Sequence, residues 1–403
     1  MHILVFSYFY PPFVGGTENI AQAGVEGLAA NGHQITVLTS AAPGKSETLR
    51  RIKQGRVKII SLPYLHPFRD ESEALAALPD RLHRLFAHER FDGVHAHLLT
   101  YPWAPARSAC LLHAFAEYGI PVVDQAHGGT PERDVGTCLK LLDLIDGMIA
   151  DSLYAKQLIE NLAGAGAKLP EIQVLYPSIV SPTAFNPDTK ARARTRRQLG
   201  VGEEEMLVFF PSRFFDIDGT LSVSKRPLAA LNAFAELRRS GSKSSRLLTI
   251  MPPGFWTKES ETEARKQVSS LMHELDIEDS TVVVNKRVSH SEMPALYQAA
   301  DVTLVPSREG FGLVYLESMA CGVPVVGVSE GASVEVVGDE GGVLVPPGSG
   351  FEQRLGQALV KLEADAAHRQ TLGRSGYRVF VEKHNPEQWV ERLEAILSAA
   401  FHR

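Results

Sequence analysis

Val302-Thr303-Leu304-Val305-Pro306-Ser307-Arg308-Glu309-Gly310-Phe311-Gly312-Leu313-Val314-Tyr315-Leu316-Glu317 changes its period partway along. Residues 302–305 are a short apolar run, fit for a strand buried on both faces. Pro306 and two glycines break it, and residues 313–321 continue with helical spacing. A buried strand, a glycine-flanked turn and a helix are the repeating step of a parallel α/β sheet. The N–H groups at such a helix start are free, and glycine lets a ligand come close, so the turn is built for an anion. Glu309 falls on that loop. Glu317 falls about one and a half turns into the helix. A carboxylate there accepts two hydrogen bonds from a ribose diol. Read alone, the segment also fits a glycine-rich helix cap with two solvated glutamates.

The same alternation extends in both directions. Residues 3–8, 34–40, 57–62, 93–96, 121–125 and 145–150 read as strands. Residues 17–31 read as a helix ended by Gly32, and 152–162 as another. Over 72–90, Leu75, Leu78, Leu82, Leu85 and Phe86 recur at helical spacing, the mark of a core-facing stripe. The pattern restarts with strands at 206–211, 247–251, 281–284 and 324–328 and helices at 227–238, 261–275 and 293–299. Between the two series stand Pro177, Pro182 and Pro187, then Lys190, Arg192, Arg194, Arg196 and Arg197. This stretch reads as a solvated helix or linker, placed at 181–203. The tail, 386–401, puts Trp389, Leu393 and Leu397 at i, i+4 and i+8, one apolar stripe. The expected organisation is a first domain at 1–185, a second at 204–383, and a terminal helix at 384–403 that packs back on the first.

Composition narrows the function. The chain has 403 residues, too many for one ordinary core. It is 44% hydrophobic and 22% charged, with a formal net charge of -6 and no long run of one sign. A nucleic-acid binder would carry a basic excess, so that partner is disfavoured. Cys110, Cys138 and Cys321 are odd in number and far apart, which gives neither a disulfide framework nor a zinc spacing. No signal-peptide pattern opens the sequence, and no apolar stretch approaches the roughly 20 residues that span a bilayer. A cytoplasmic protein is expected, with peripheral contact at the inner membrane face left open.

Further residues carry chemistry. Gly15-Gly16-Thr17-Glu18 lies at the first strand-to-helix turn, in the place of a dinucleotide loop but without its G-x-G-x-x-G spelling, so a nicotinamide oxidoreductase is disfavoured. Read alone it is a tight turn. Arg213 and Lys225 follow the first strand of the second half. Beside the Glu309 segment, two fixed cations suit a departing diphosphate. His127 lies just past a strand, with His95 and His97 ending a neighbouring one, where parallel sheets bind ligands. Asp216-Ile217-Asp218 is the one Asp-x-Asp in the chain and reads as a turn, so no metal site and no cofactor are expected.

Together these segments resemble family 4 of the retaining glycosyltransferases, which has the GT-B fold. The likeness covers nearly the whole chain. It is most specific from Glu309 to Glu317 and on through Ser318-Met319-Ala320-Cys321-Gly322-Val323-Pro324, and next at Pro11-Pro12 with Gly15-Gly16-Thr17-Glu18. The resemblance implies two Rossmann-like domains facing across a cleft, with the terminal helix returning to the first. It implies a UDP- or GDP-linked sugar donor held by the second domain and an acceptor (glycan, lipid-linked or small molecule) held by the first. By that likeness Arg213 and Lys225 hold the diphosphate, with Arg226 as a competitor for the second place. Glu309 and the Gly310, Phe311, Gly312 and Leu313 backbone hold sugar and phosphate, Glu317 the ribose, and Val288 belongs to the donor pocket. Gly15 and Gly16 close on the donor, and His127 sits near the transferred sugar. The sequence departs from the family in the long gap between Arg213 and Lys225, in the closeness of Ser307 to Glu309, and in Lys286, where a small residue is usual. The expected reaction is a metal-independent transfer with retention. The alternatives are a sugar-nucleotide epimerase or hydrolase, a phosphorylase-like enzyme, and a donor-binding protein without catalysis.

Overall fold

The structure is a computed structural model that describes residues 1–13, 15–42, 45–67, 70–100, 104–128, 140–163, 168–179, 183–215, 220–241, 244–252 and 258–402. Asp216, Ile217, Asp218, Gly129 and Cys138 lie outside these. The chain divides into two units, one of Met1–Val180 with Asn385–Arg403, the other of Ser181–His384.

The first unit is built on eight strands: β1 (His2–Ser7), β2 (Gln34–Ser40), β3 (Thr48–Ile52), β4 (Val57–Leu62), β5 (Gly93–His97), β6 (Val122–Ala126), β7 (Gly147–Ala150) and β8 (Ile172–Val174). Their order is β3-β4-β2-β1-β5-β6-β7-β8. All neighbours are parallel except β3, which runs antiparallel to β4. Helices α1 (Gly16–Ala30), α2 (Glu71–His88), α3 (Pro105–Glu117) and α4 (Leu153–Ala163) join them. The central strands are apolar throughout because both faces are covered; β1 is buried from Ile3 to Ser7. Leu78, Leu82, Leu85 and Phe86 of α2 lie in the core with Phe6, Leu38, Val94 and Phe115. β3, Thr-Leu-Arg-Arg-Ile, was not expected. Every residue of it is exposed, so it lacks the apolar signal of a strand, and its arginines suit a sheet edge.

The last helix of the chain, named α13 (Pro386–Phe401), belongs to this first unit and lies on α1, β5 and β6. Asn385 caps it, accepting from the N–H groups of Glu387 and Gln388. Trp389, Leu393 and Leu397 are buried as one stripe. The approach is close because small residues face it: Gly27 lies against Val390, and Gly93 against the Phe401 ring.

The second unit has strands β9 (Leu207–Phe210), β10 (Arg246–Ile250), β11 (Thr281–Val284), β12 (Val302–Val305), β13 (Val325–Val328) and β14 (Gly342–Val345). They are all parallel, in the order β11-β10-β9-β12-β13-β14. That is the doubly wound arrangement of a dinucleotide-binding domain. Its helices are α5 (Thr189–Leu199), α6 (Pro227–Ser240), α7 (Lys258–Glu274), α8 (Met293–Ala299), α9 (Leu313–Ala320), α10 (Ser333–Val336), α11 (Phe351–Ala364) and α12 (Ala366–Lys383).

The basic stretch expected to be solvated is α5, and two of its arginines point inward. Arg192 and Arg196 bind the two oxygens of Asp301 at 2.7 and 3.0 Å. They also donate to the carbonyls of Ala300 and Ala299 at 2.7 and 2.9 Å, at the end of α8, where a helix presents unpaired acceptors. Asp301 accepts in turn from the Leu207 N–H, so the cations anchor α5 to the edge of the second sheet's core. Among the described residues no helix is long and apolar enough to cross a membrane.

Candidate active site

In the second sheet the direction of winding reverses between β9 and β12, which are neighbours. The connections leaving their carboxyl ends diverge, and the crevice they leave is where open α/β sheets bind ligands. Arg213 stands on the connection after β9 and is exposed; Glu309 stands on the connection after β12. Lys225, just before α6, reaches across to that second connection. Its Nζ donates to both oxygens of Glu309 at 2.7 Å. Ser307 Oγ donates to Glu309 Oε1 at 2.6 Å. The Glu309 carbonyl accepts from the Ala332 N–H, so the loop is held from behind as well. Arg226, the competitor, is turned elsewhere: its Nη1 donates to the Pro306 carbonyl, its Nη2 lies 3.8 Å from Glu330, and its guanidinium covers the Phe351 ring.

Gly312 makes the turn into α9. Its φ is 83°, a backbone state that side chains resist, and an added Cβ would lie 2.7 Å from the Tyr315 ring and 3.0 Å from Glu309 Cβ. Glycine is therefore required for Gly310, Phe311 and Leu313 to bring their backbone beside Glu309. Phe311 itself is buried, near the His384 ring. Glu317, in the middle of α9, is 6% exposed, and its Oε2 accepts from the Tyr297 hydroxyl at 2.6 Å. Burial pushes this carboxyl above the usual carboxylate range, with the Tyr297 hydrogen bond and the nearby His290 pulling it back. Val288 lies half-buried on the connection from β11 to α8, and Lys286 on the same connection pairs with Glu292 at 2.7 Å.

In the first sheet the winding reverses between β1 and β5, where Ser7 pairs with His97. Gly15 caps α1 with an extended backbone, and Gly16 is its first residue. The Glu18 side chain folds back so far that a Cβ on Gly15 would strike its carboxylate. His127 follows β6, and its side chain is 5% exposed. Its Nδ1 bonds Asp151 Oδ2 at 2.7 Å and its Nε2 bonds His97 Nδ1 at 2.8 Å. Both ring nitrogens are thus occupied within the first unit.

The structure therefore brings Lys225, Ser307, Glu309 and the Gly310–Leu313 backbone together in one unit, and His127 with His97 in the other. Sequence reasoning missed Tyr297, Gln125 and Asp151 as participants. Tyr297 is hidden in an apolar helix and gave no signal. Gln125 and Asp151 did: Gln125 is a polar residue near the end of β6 and Asp151 directly follows the apolar β7, and a side chain is buried there only with a partner.

The first half matches the family model described as Glycosyltransferase Family 4, over residues 14–179, and the second that of Glycosyl transferases group 1, over residues 192–379. Among curated relatives, the D-inositol 3-phosphate glycosyltransferase of Stackebrandtia nassauensis is 28% identical over 298 residues, covering 70% of this chain. The match spans only 62% of that relative's length. Sucrose-phosphate synthase from Thermosynechococcus elongatus has the same fold, with a TM-score of 0.81 at 22% identity, over 100% of this chain and 99% of that one. The Anabaena protein HepE, solved with UDP and glucose, gives a TM-score of 0.74 at 20% identity, covering 99% of this chain and 100% of its own.

Proposed function

The chain belongs to the family 4, group 1 glycosyltransferases, and on that premise we propose that it transfers a sugar from a nucleoside-diphosphate sugar to an acceptor hydroxyl, with retention and without a metal. The observation that carries this reading is the Lys225–Glu309 clasp at the switch point of the second sheet, set beside the glycine-made start of α9. A lysine with three donors and an exposed Arg213 suit a diphosphate, whose charge grows as the glycosidic bond breaks. The binding of UDP and glucose by HepE, which shares the fold, supports such a donor.

The chemistry balances without a protein nucleophile. The acceptor oxygen bonds to the anomeric carbon on the face from which the diphosphate leaves. The carbon–oxygen bond to phosphate breaks, and the hydroxyl proton passes to the departing phosphate oxygen. Arg213 and Lys225 neutralise that phosphate. Glu309, relieved of Lys225 as the phosphate takes its donors, turns its carboxylate to the sugar hydroxyls. Glu317 holds the ribose. Such fixed groups act most strongly on charge that develops in the transition state.

The test is a panel of UDP- and GDP-sugars with sugar, polyol and lipid-linked acceptors, with products analysed for anomeric configuration. Transfer that inverts the anomeric centre removes the retaining mechanism. Donor consumed equally with and without any acceptor points to a hydrolase or epimerase instead.

A further inference from the structure

A buried hydrogen-bonded chain runs across the carboxyl ends of β5, β6 and β7 and converges on one carboxylate. Asp151 Oδ1 accepts from Gln125 Nε2 at 2.7 Å, and Oδ2 faces His127 Nδ1 at 2.7 Å. Gln125 Oε1 faces His95 Nε2 at 3.0 Å, and His127 Nε2 faces His97 Nδ1 at 2.8 Å. The His97 and His127 ring planes are 2° from parallel with centroids 5.1 Å apart, and with 2.8 Å between the nitrogens the contact is edge to edge. His95, His97, Gln125 and Asp151 are each 1% exposed or less.

A carboxylate only accepts, and for a neutral His127 that fixes every proton in the chain. The Gln125 amide must turn its NH2 to Asp151, which leaves its oxygen for a His95 that carries hydrogen on Nε2. His127 must carry hydrogen on Nδ1, opposite the tautomer that imidazole prefers when nothing constrains it. Its Nε2 is then a lone pair, which His97 satisfies only by carrying its own hydrogen on Nδ1. His97 Nε2 is left as a buried atom with no partner. Burial holds His95 down to about 4 and His97 well below the ordinary histidine range, which keeps both neutral.

We propose that Asp151 and His97 are positioning residues that lock the His127 imidazole in its Nδ1–H form and in one orientation, as a fixed wall of the ligand crevice at the carboxyl end of the first sheet. The link from this chain to transfer rests on the glycosyltransferase reading; the chain itself does not. With both nitrogens engaged, His127 takes no proton from the acceptor. Its contribution is shape and a set dipole, and these depend on Asp151.

The first arm of the experiment needs no substrate. Protein labelled with 15N in its histidine rings is examined by NMR, each signal being assigned by substitution. His127 and His97 should carry hydrogen on Nδ1 and His95 on Nε2. Asp151→Asn should return His127 to the Nε2–H form. A wild-type His127 or His97 with its hydrogen on Nε2 overturns the proposal. The second arm measures transfer. Asp151→Asn should lower kcat by about ten- to a hundredfold, the scale of one charge-assisted hydrogen bond. Affinity for free nucleoside diphosphate, which second-unit residues hold, should stay the same. His97→Asn, which keeps a donor facing His127 Nε2, should recover activity lost in His97→Leu. Equal kcat in wild type and Asp151→Asn overturns the positioning role. Absence of any transfer by the wild type sinks the glycosyltransferase reading and leaves the tautomers to decide the chain.

Discussion

Glu309 lies on the connection after β12 and Glu317 in the helix it leads into, yet their partners differ. Glu309 is clasped by a cation and a hydroxyl; Glu317 is held by a phenol in a buried site. If Glu317 grips the ribose, Glu317→Gln should weaken free nucleoside diphosphate by roughly tenfold or more, as a charged acceptor is lost. Glu309→Gln should leave that affinity near wild type while transfer falls; calorimetric titration of the two variants separates them, and a reversed outcome exchanges their roles. A pH signature accompanies Glu317. Its folded-state pKa lies above the unfolded value, so its stabilising contribution is complete below the unfolded pKa of about 4.3. That contribution is lost as pH rises through the raised value. The stability gap between Glu317→Gln and ligand-free wild type should therefore shift in favour of the variant as pH climbs through that window, read as urea midpoints; a gap independent of pH means the carboxyl is not perturbed. At this scale the sequence showed which residue types gather at the site. It did not show who pairs with whom. Lys225 rather than Arg226 meets Glu309 because Arg226 stands in a left-handed cap at the start of α6, which turns it to Pro306 and Glu330.

Elements were legible where their pattern was long and periodic. The terminal helix, the strand Val302–Val305 and the helix Met293–Ala299 stand where apolar spacing put them. β3 was not legible, because an exposed edge strand buries nothing to alternate. β14 and helices α10 to α12 were not read either. Val343 and Leu344 are only half-buried, and α12 carries Gly373 and Gly376 where a helix pattern would want larger residues. The structure explains Gly373: a Cβ there would strike the Gly322 backbone, so α12 lies directly on the turn after α9. The same logic gives a prediction in the first unit. At Gly27 alanine is the better helix former, worth up to about 1 kcal/mol. A methyl there nevertheless falls on the Val390 side chain of α13. Overpacking of this kind costs about 1–3 kcal/mol, so Gly27→Ala should lower the melting temperature despite its propensity. Combining it with Val390→Ala should cost less than the two changes added separately, because the second opens room for the first. Strict additivity in that cycle would show that the two helices do not bear on each other.

At the scale of the whole chain, length and alternation implied two sheets, and the sheet orders then mark the crevice of each. In each unit the reversal of winding sets the crevice: between β1 and β5 in one, between β9 and β12 in the other. Strand order was not readable from sequence, since any parallel strand looks like any other; it comes from pairing over long separations. Arg213 and Lys225 come from the connection after β9 and Glu309 from the one after β12, far along the chain, and all belong to the second unit. A free nucleoside diphosphate should therefore bind that unit alone. At 100 times its dissociation constant it would add about 2.7 kcal/mol to whatever holds it. Hydrogen exchange with and without UDP or GDP should show new protection over 306–317 and 222–226, with the amides of β5 to β7 unchanged. Excess chelator should leave that protection intact, since the cations in view are side chains. Among the described residues no cluster of histidine, cysteine, aspartate or glutamate is arranged to hold a metal ion, although Asp216 and Asp218 lie outside them. Protection that vanishes in chelator and returns with manganese would give the diphosphate to a metal and move Asp216 and Asp218 into the site. Protection confined to the first unit would instead reassign the donor to the side of His127.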